Sequence, residues 1–499
     1  MNIDKENKIY YYIDALINYA LKHELIEEVD KRYSINQVIG LLGIDDYHES
    51  NYHEELGLEA IIDPIIDFAI KNNIISDTQS SKDLFDTKLM GLFCEKPSNV
   101  IKTFNTKYNQ NPSYATDWFY HYSENVNYIR KERILKDIKW KTDTKYGILD
   151  ITINLSKPEK DPRDILKAKE MSQSNYPLCA LCKENEGYFG RINHPARENL
   201  RLIPIELDNE QYYLQYSPYS YYNEHAIILS EKHTPMIINK KTFKKLLDFL
   251  DLFPHYFIGS NADLGIVGGS ILSHDHFQGG RFTFAMDRAK NIYETSLNDV
   301  AISILYWPLS VIRLRSKNKE QLIELSDKIL QKWIDYDNEE LGIISHTDGV
   351  RHNTITPISK KENGEYVVDL VLRCNIQTNE KPYGVFHSSE QYHHIKKENI
   401  GLIEVLGLAI LPSRLKKELE LIKNYLLGND KELVPELEKH SIWIEKMKKQ
   451  YQFNIDNVDD ILKMEVGTIF MQLLEDCGVF KQNKQGIDSF ISFINNVIA

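Results

Sequence analysis

Two histidines, His274 and His276, stand two residues apart in a segment that is rich in glycine. Glycine pairs at positions 268–269 and 279–280 flank them, and glycine backbone can approach a ligand closely. Successive N–H groups in such loops bind phosphate. Imidazole can act as metal ligand, general base or nucleophile, although two hydrogen-bonded histidines at the end of a core strand fit the spacing as well. We therefore take residues 261–284 as the candidate active site.

The spacing of the two histidines also predicts their orientation. If residues 271–277 form a strand, its two-residue period places His274 and His276 on one face and Asp275 on the other. Two imidazoles on one face can divide the work between metal binding and chemistry. The spacing alone does not assign either role.

A second chemical feature is the pair Cys179 and Cys182, which has the spacing of half a tetrahedral zinc site and needs two further ligands. The sequence has no second pair of this kind, so a redox pair and two buried thiols are alternatives. The chain has only five cysteines, and they are scattered, which indicates a reducing compartment.

A local cluster of basic residues follows the cysteine pair. Arg191, Arg197 and Arg201 lie close together around Asn199 in a protein of net charge −13. Arginines bind phosphate oxygens by paired hydrogen bonds, so the diphosphate of a nucleotide could lie here, with a solvated basic turn as the alternative. His225 is interpreted as a structural or pocket-lining residue.

The elements that must position these residues follow from apolar periodicity. Helical repeats fill residues 9–43, 58–75 and 84–93, and a sheet domain is expected to begin after Pro112. A strand–helix–strand order leads into the histidine segment, and a comparable order recurs in residues 302–411. The expected elements are strands at 147–155, two strands within 212–229, a helix at 244–253, a strand at 257–261, a strand at 311–314, a helix at 320–333 and a strand at 366–373.

Length and charge exclude several classes of protein. A chain of 499 residues can form two to four domains that are stable without disulfide bonds. Its net charge of −13 argues against nucleic acid as a partner. No stretch approaches the roughly 20 apolar residues of a membrane span, and no targeting segment precedes the first helix. We expect a cytoplasmic protein without a membrane partner.

The sequence GGSILSHDHFQGG, residues 268–280, resembles the signature of the second sequence class of galactose-1-phosphate uridylyltransferases, relatives of the histidine-triad nucleotide-binding proteins. The first class carries His-Pro-His-x-Gln at the corresponding place. By this resemblance His276 is the nucleophile that takes up the uridylyl group, and Gln278 binds the phosphate oxygens. The iron-binding segment of the first class has no match at residues 370–375, which read LVLRCN.

The resemblance, which covers about residues 114–414, implies two further sets of residues. The implied zinc ligands are Cys179, Cys182, His233 and His274. The implied substrate-binding residues are Asn261, Ser270, Arg197, Asn199, Gly268, Gly269, Lys396, Lys397 and Glu404, with the two lysines and Glu404 assigned to the hexose phosphate and its hydroxyls.

The implied fold class is α+β, with mixed or antiparallel sheets, flanking helices, two histidine-triad-like halves and a helical N-terminal region. We divide the chain into a helical region at 1–112, a catalytic half at 113–300, and a C-terminal half with a helical tail at 301–499. The implied enzyme is a dimeric UDP-glucose:hexose-1-phosphate uridylyltransferase of galactose metabolism, with UDP-glucose and galactose 1-phosphate as substrates. Alternatives are a dinucleotide phosphorylase, a nucleotidyl-phosphoramidate hydrolase, a non-catalytic nucleotide-sugar sensor, and a zinc hydrolase that uses both histidines as ligands.

Overall fold

The computed structural model describes residues 3–50, 55–157, 174–430 and 432–499. Among the described residues, seven helices precede the first strand: α1 (Ile3–Lys22), α2 (Lys31–Leu42), α3 (Leu58–Lys71), α4 (Gln79–Gly91), α5 (Pro97–Tyr108), α6 (Pro112–Asn125) and α7 (Lys131–Ile134). Later helices of the described chain are α8 (Lys240–Leu252), α9 (Lys319–Ile334), α10 (Leu402–Val405), α11 (Arg414–Leu426), α12 (Ser441–Gln450), α13 (Val458–Cys477) and α14 (Lys484–Ile498).

The strands are β1 (Ile138–Thr144), β2 (Gly147–Ile153), β3 (Ile203–Leu207), β4 (Glu210–Tyr216), β5 (Ala226–Ser230), β6 (Phe257–Gly259), β7 (His276–Gly280), β8 (Asn291–Leu297), β9 (Val300–Leu305), β10 (Val311–Ser316), β11 (His346–Thr347), β12 (Val350–Arg351), β13 (Asn353–Glu362), β14 (Glu365–Cys374) and β15 (Leu408–Leu411). The large sheet has the order β3-β4-β5-β7-β6-β13-β14-β10-β9-β8, and every pairing in it is antiparallel. A small sheet, β1-β2-β15, includes one parallel pair, β2 with β15. The expected α+β class with antiparallel and mixed sheets is confirmed.

The large sheet consists of two halves with the same topology. In the first, β3, β4 and β5 are followed by α8, and β7 then pairs between β5 and β6. In the second, β8, β9 and β10 are followed by α9, and β14 pairs between β10 and β13. The halves join through the antiparallel pair β6–β13, where Gly259 lies opposite Ile358. The expected second half of comparable type is therefore present.

Helices α8 and α9 cover one face of the sheet side by side. Their facing sides carry ion pairs, such as Lys319 with Asp248 at 2.6 Å. Below them, Phe277 of β7 joins the same buried apolar cluster as Leu246 of α8, so this residue points away from the opposite face. The small sheet and α11–α13 form a second apolar cluster with residues of the large sheet such as Phe257 and Leu305.

The N-terminal helices share the first apolar cluster, where Phe104 of α5 contacts Phe253 at the end of α8. The expected helices in residues 9–43, 58–75 and 84–93 are confirmed as α1 to α4. The expectation of a sheet domain directly after Pro112 is wrong, because residues 112–125 form α6. The side chain of Asn111 caps this helix, Pro112 occupies its first turn, and the aromatic residues pack as a helical row. No helix among the described residues is long and apolar enough to cross a membrane.

Candidate active site

A cavity of about 940 Å³ lies on the face of the sheet opposite α8, beside β7. Because side chains alternate along a strand, His276 and Gln278 face this cavity while Phe277 faces the helices. The cavity brings together nine of the residues expected at the site: Asn261, Gly268, Gly269, Ser270, Arg197, His276, Gln278, Lys396 and Glu404. Its other lining residues include His225 and Tyr128.

The expected strand over residues 271–277 is wrong, since β7 begins only at His276. Asp275 instead donates its N–H to the carbonyl of Thr234 at 2.7 Å, and its carbonyl accepts from Ser230 N at 3.0 Å. The hydroxyl of Tyr212 donates to the Asp275 carboxylate at 2.6 Å. His274 is therefore a loop residue, and its position is set by this loop rather than by strand alternation.

The ring of His276 is held by the loop that precedes it. Its Nδ1–H donates to the main-chain carbonyl of His274 at 2.8 Å, which fixes the tautomer and leaves the lone pair on Nε2. The side chain is only 7% exposed, and burial lowers the pKa of His276. A neutral imidazole with one anchored nitrogen and one free nitrogen can act as a nucleophile or as a general base.

Gln278 has a partner that the sequence did not identify. The Nε2–H of His225 donates to Gln278 Oε1 at 3.0 Å, and the His225 ring packs on Tyr222 with centroids 4.4 Å apart. Burial lowers the pKa of His225 to about 4, so this imidazole is neutral near pH 7. With Oε1 occupied, the amide nitrogen of Gln278 is the group that remains to donate into the cavity.

Four potential metal ligands converge beside the cavity: Cys179, Cys182, His233 and His274, whose donor atoms all lie within 4.8 Å of one another. The distances are 3.6 Å between the two sulfurs, 3.3 Å from Cys179 Sγ to His274 Nδ1, and 3.2 Å from Cys182 Sγ to His233 Nδ1. Tetrahedral zinc with bonds of about 2.3 Å to sulfur and about 2.0 Å to nitrogen requires ligand separations of this size. The residues thus fit a closed four-ligand metal site.

The residues around this cluster orient its ligands. His274 Nε2–H donates to the Ser230 carbonyl at 2.9 Å, which leaves Nδ1 as the ligand atom. The amide nitrogen of Asn185 donates to the carbonyls of both cysteines at 2.8 Å, which closes the turn between them. Hydrogen bonds within the protein therefore hold these ligands in place without a bound ion.

At the β6 side of the cavity, charged and amide groups fix the loop that leads into α10. Lys396 is almost fully buried and contacts Glu404 at 3.1 Å, while Asn261 Oδ1 accepts the N–H of Leu402 at 2.9 Å. A Cβ at Gly269 would lie 2.6 Å from Asn261 Nδ2, so glycine is required for this close approach.

Two expected substrate-binding residues, Asn199 and Lys397, lie outside the cavity lining. Asn199 is buried and donates its amide to the carbonyl of Val126 at 3.0 Å. Lys397 is exposed, with its amine 5.8 Å from the ring of Tyr383. From the basic cluster, Arg201 donates to the carbonyl of Glu95 at 2.6 Å, so it serves the fold. The sequence missed Tyr128, because nothing near it in the helical region carries a chemical signature.

Family models of known proteins match most of the chain. A family model described as the N-terminal domain of galactose-1-phosphate uridyl transferase matches residues 24–235, and its C-terminal counterpart matches residues 249–444. The chain is thus of the nucleotidyltransferase class, and it belongs to the galactose-1-phosphate uridyl transferase family.

Relatives that match along almost the whole chain support the same family. A galactose-1-phosphate uridylyltransferase of Clostridium acetobutylicum is 51% identical, covering 98% of this chain and 99% of its own length. That of Bacillus subtilis is 46% identical, with 98% of both chains covered. Among solved structures, a yeast Ap4A phosphorylase covers 71% of this chain and 97% of its own, at 11% identity and a TM-score of 0.35.

Proposed function

We propose that the protein is a UDP-glucose:hexose-1-phosphate uridylyltransferase that works by double displacement on His276. The main observation in support of this proposal is the orientation of the His276 ring. Its Nδ1–H donates to the His274 carbonyl, so Nε2 is free to react in the cavity that Gln278 also lines. The near full-length relatives that are named galactose-1-phosphate uridylyltransferases support the choice of substrates.

In the first half-reaction, His276 Nε2 attacks the α-phosphorus of UDP-glucose. A P–N bond forms, the bond from phosphorus to the bridging oxygen breaks, and glucose 1-phosphate leaves with the electron pair. The uridylyl-imidazolium keeps its Nδ1 proton, which the His274 carbonyl accepts throughout. In the second half-reaction, a phosphate oxygen of galactose 1-phosphate attacks the same phosphorus, the P–N bond breaks, and UDP-galactose is released.

The cavity offers groups for the charge that develops on the transferred phosphoryl oxygens. We assign this role to the amide nitrogen of Gln278 and to main-chain N–H groups around Gly268 and Gly269, with Arg197 as a further cation. Asn261 and Ser270 belong to the same wall. Lys396 and Glu404, on the β6 side, are assigned to the hexose 1-phosphate.

The metal that we propose for the cysteine–histidine cluster is zinc. Cys179, Cys182, His233 and His274 would hold it as a closed four-ligand site, which leaves no position for substrate, so its contribution is structural. We further propose a cytoplasmic location, because none of the five cysteines forms a disulfide, and a homodimer, as the resemblance implies.

The test is turnover of UDP-glucose with a panel of sugar 1-phosphates. The proposal predicts parallel lines in double-reciprocal plots and, with UDP-glucose alone, release of at most about one glucose 1-phosphate per site. The protein should then carry a uridylyl group that is labile to acid and stable to base. Intersecting lines without an adduct would refute the double displacement, and phosphorolysis of a dinucleotide in place of sugar exchange would favour the phosphorylase alternative.

A further inference from the structure

Tyr128 connects the helical N-terminal region to the candidate active site. It lies between α6 and α7, its side chain is 4% exposed, and it lines the cavity that holds His276. The Arg197 guanidinium lies over its ring, 5.6 Å from the centroid. No part of the sequence signature covers this residue.

The main chain around Tyr128 is fixed from two sides. The N–H groups of Tyr128 and Ile129 both donate to the carbonyl of Ser123, at 3.0 and 2.9 Å. From the sheet domain, Asn199 donates its amide to the carbonyl of Val126, and the N–H of Arg130 reaches the carbonyl of Pro218 at 3.4 Å. The main chain of this segment is therefore held in place before any ligand binds.

The hydroxyl of Tyr128 is buried and has no hydrogen-bond partner among the residues that the structure describes. A buried hydroxyl without a partner costs about 1–3 kcal/mol relative to a paired one. Tyrosine would be a poor choice over phenylalanine here if the hydroxyl served packing alone. Beside a substrate cavity, a bound ligand can supply the missing partner.

The position of Tyr128 in the cavity indicates which part of the ligand it contacts. His276 is carried by β7, which lies between β5 and β6 in the sheet. Tyr128 lies on the β5 side, next to the β4–β5 connection at Pro218, and Tyr219 of the same connection also lines the cavity. The Lys396–Glu404 pair lies on the β6 side, through the loop that Asn261 holds. The aromatic side chains on the β5 side suit a nucleoside, and the charged pair on the β6 side suits a sugar phosphate.

We propose that the Tyr128 hydroxyl donates a hydrogen bond to an oxygen of the nucleoside part of UDP-glucose, so that the helical region forms part of the nucleotide site. This inference rests on the proposed function. It gives the N-terminal helices a role in substrate binding as well as in the apolar core.

The test compares Tyr128→Phe with Tyr33→Phe, the same exchange at an exposed position of the helical region. In the full-length protein, Tyr128→Phe should weaken binding of UMP, measured by calorimetry, by about tenfold and lower kcat/KM for UDP-glucose by a similar factor. The kcat/KM for galactose 1-phosphate should not change, because the uridylyl group is already covalently held in that step. Tyr33→Phe should leave all three quantities at the wild-type value.

The melting temperature separates the two possible roles of the hydroxyl. Removal of an unpaired buried hydroxyl should leave the melting temperature unchanged or raise it, whereas a lowered value would reveal a partner within the protein and overturn the inference. Unchanged UMP binding, or a loss confined to galactose 1-phosphate, would overturn it as well. Wild-type protein without uridylyl transfer would instead refute the proposed function, so the two failures are distinguishable.

Discussion

Substitution of His225 by Phe tests whether the orientation of the Gln278 amide matters for transfer. His225 is 2% exposed, and its Nε2–H donates to Gln278 Oε1 at 3.0 Å. Burial lowers the pKa of His225 to about 4, so the ring donates as a neutral group at working pH. Phenylalanine keeps an aromatic ring against Tyr222 but removes the donor, which frees the amide to turn its oxygen toward the phosphate.

The expected magnitude follows from a single neutral hydrogen bond, which contributes about 1 kcal/mol. If that energy selects the productive amide orientation, His225→Phe lowers kcat about fivefold. Gln278→Ala removes the donor itself and should cost about 100-fold, as for other groups that stabilise a developing oxyanion. Because His225 acts only through Gln278, the double variant should be no slower than Gln278→Ala alone.

The assay is the steady-state rate of UDP-galactose formation for the wild type, both single variants and the double variant. A matched control is His255→Phe, which removes a partly buried imidazole that contacts Thr116 outside the cavity lining and should keep the wild-type kcat. If His225→Phe caused the same fivefold loss in the Gln278→Ala background, the two effects would be independent. That result would refute the positioning role.

Three further predictions concern the nucleophile, the metal and the core. His276→Ala should abolish transfer while the melting temperature is kept, and a rate within about tenfold of wild type would refute the nucleophile. Metal analysis should find about one zinc per chain, and Cys179→Ser should lose it together with thermal stability; a metal-free protein whose stability is unaffected by this substitution would exclude the site. Arg313 and Asp369 form a buried ion pair at 2.6 Å, so Asp369→Asn should lower the free energy of unfolding in urea by about 3 kcal/mol, and a change below about 1 kcal/mol would contradict this.

The fold was predictable where apolar periodicity is strong. Helices α8 and α9 show one apolar side each, and both lie where the sequence predicts helices. Helix α6 was missed because its aromatic residues, such as Trp118 and Tyr122, favour strands in isolation, whereas they stack here along one helix face. The joining of the two halves through β6 and β13 is a pairing between distant segments, which local pattern does not encode.

The site was predictable where residues carry chemistry at a fixed spacing. The spacing of the cysteine pair predicted half of a metal site, the resemblance implied His233 and His274 as the other ligands, and the structure brings the donor atoms of all four within 4.8 Å of one another. Arginine and lysine patterns were less informative, because a basic residue can equally hold main-chain carbonyls, as Arg201 does, or lie on the surface, as Lys397 does. Tyr128 and His225 emerge only from geometry, since their importance depends on which partner each polar atom has or lacks.

His274 links the two chemical features of the chain. Its Nδ1 belongs to the cysteine–histidine cluster, while its main-chain carbonyl accepts the Nδ1–H of His276. Because the ring and the carbonyl belong to one residue, a ligand bound at Nδ1 would also restrain the acceptor that fixes the His276 tautomer. A metal in the cluster would therefore act on transfer without contacting substrate, by holding the carbonyl that holds the nucleophile. This arrangement explains why a closed metal site, which has no free coordination position, can stand directly beside the reacting group.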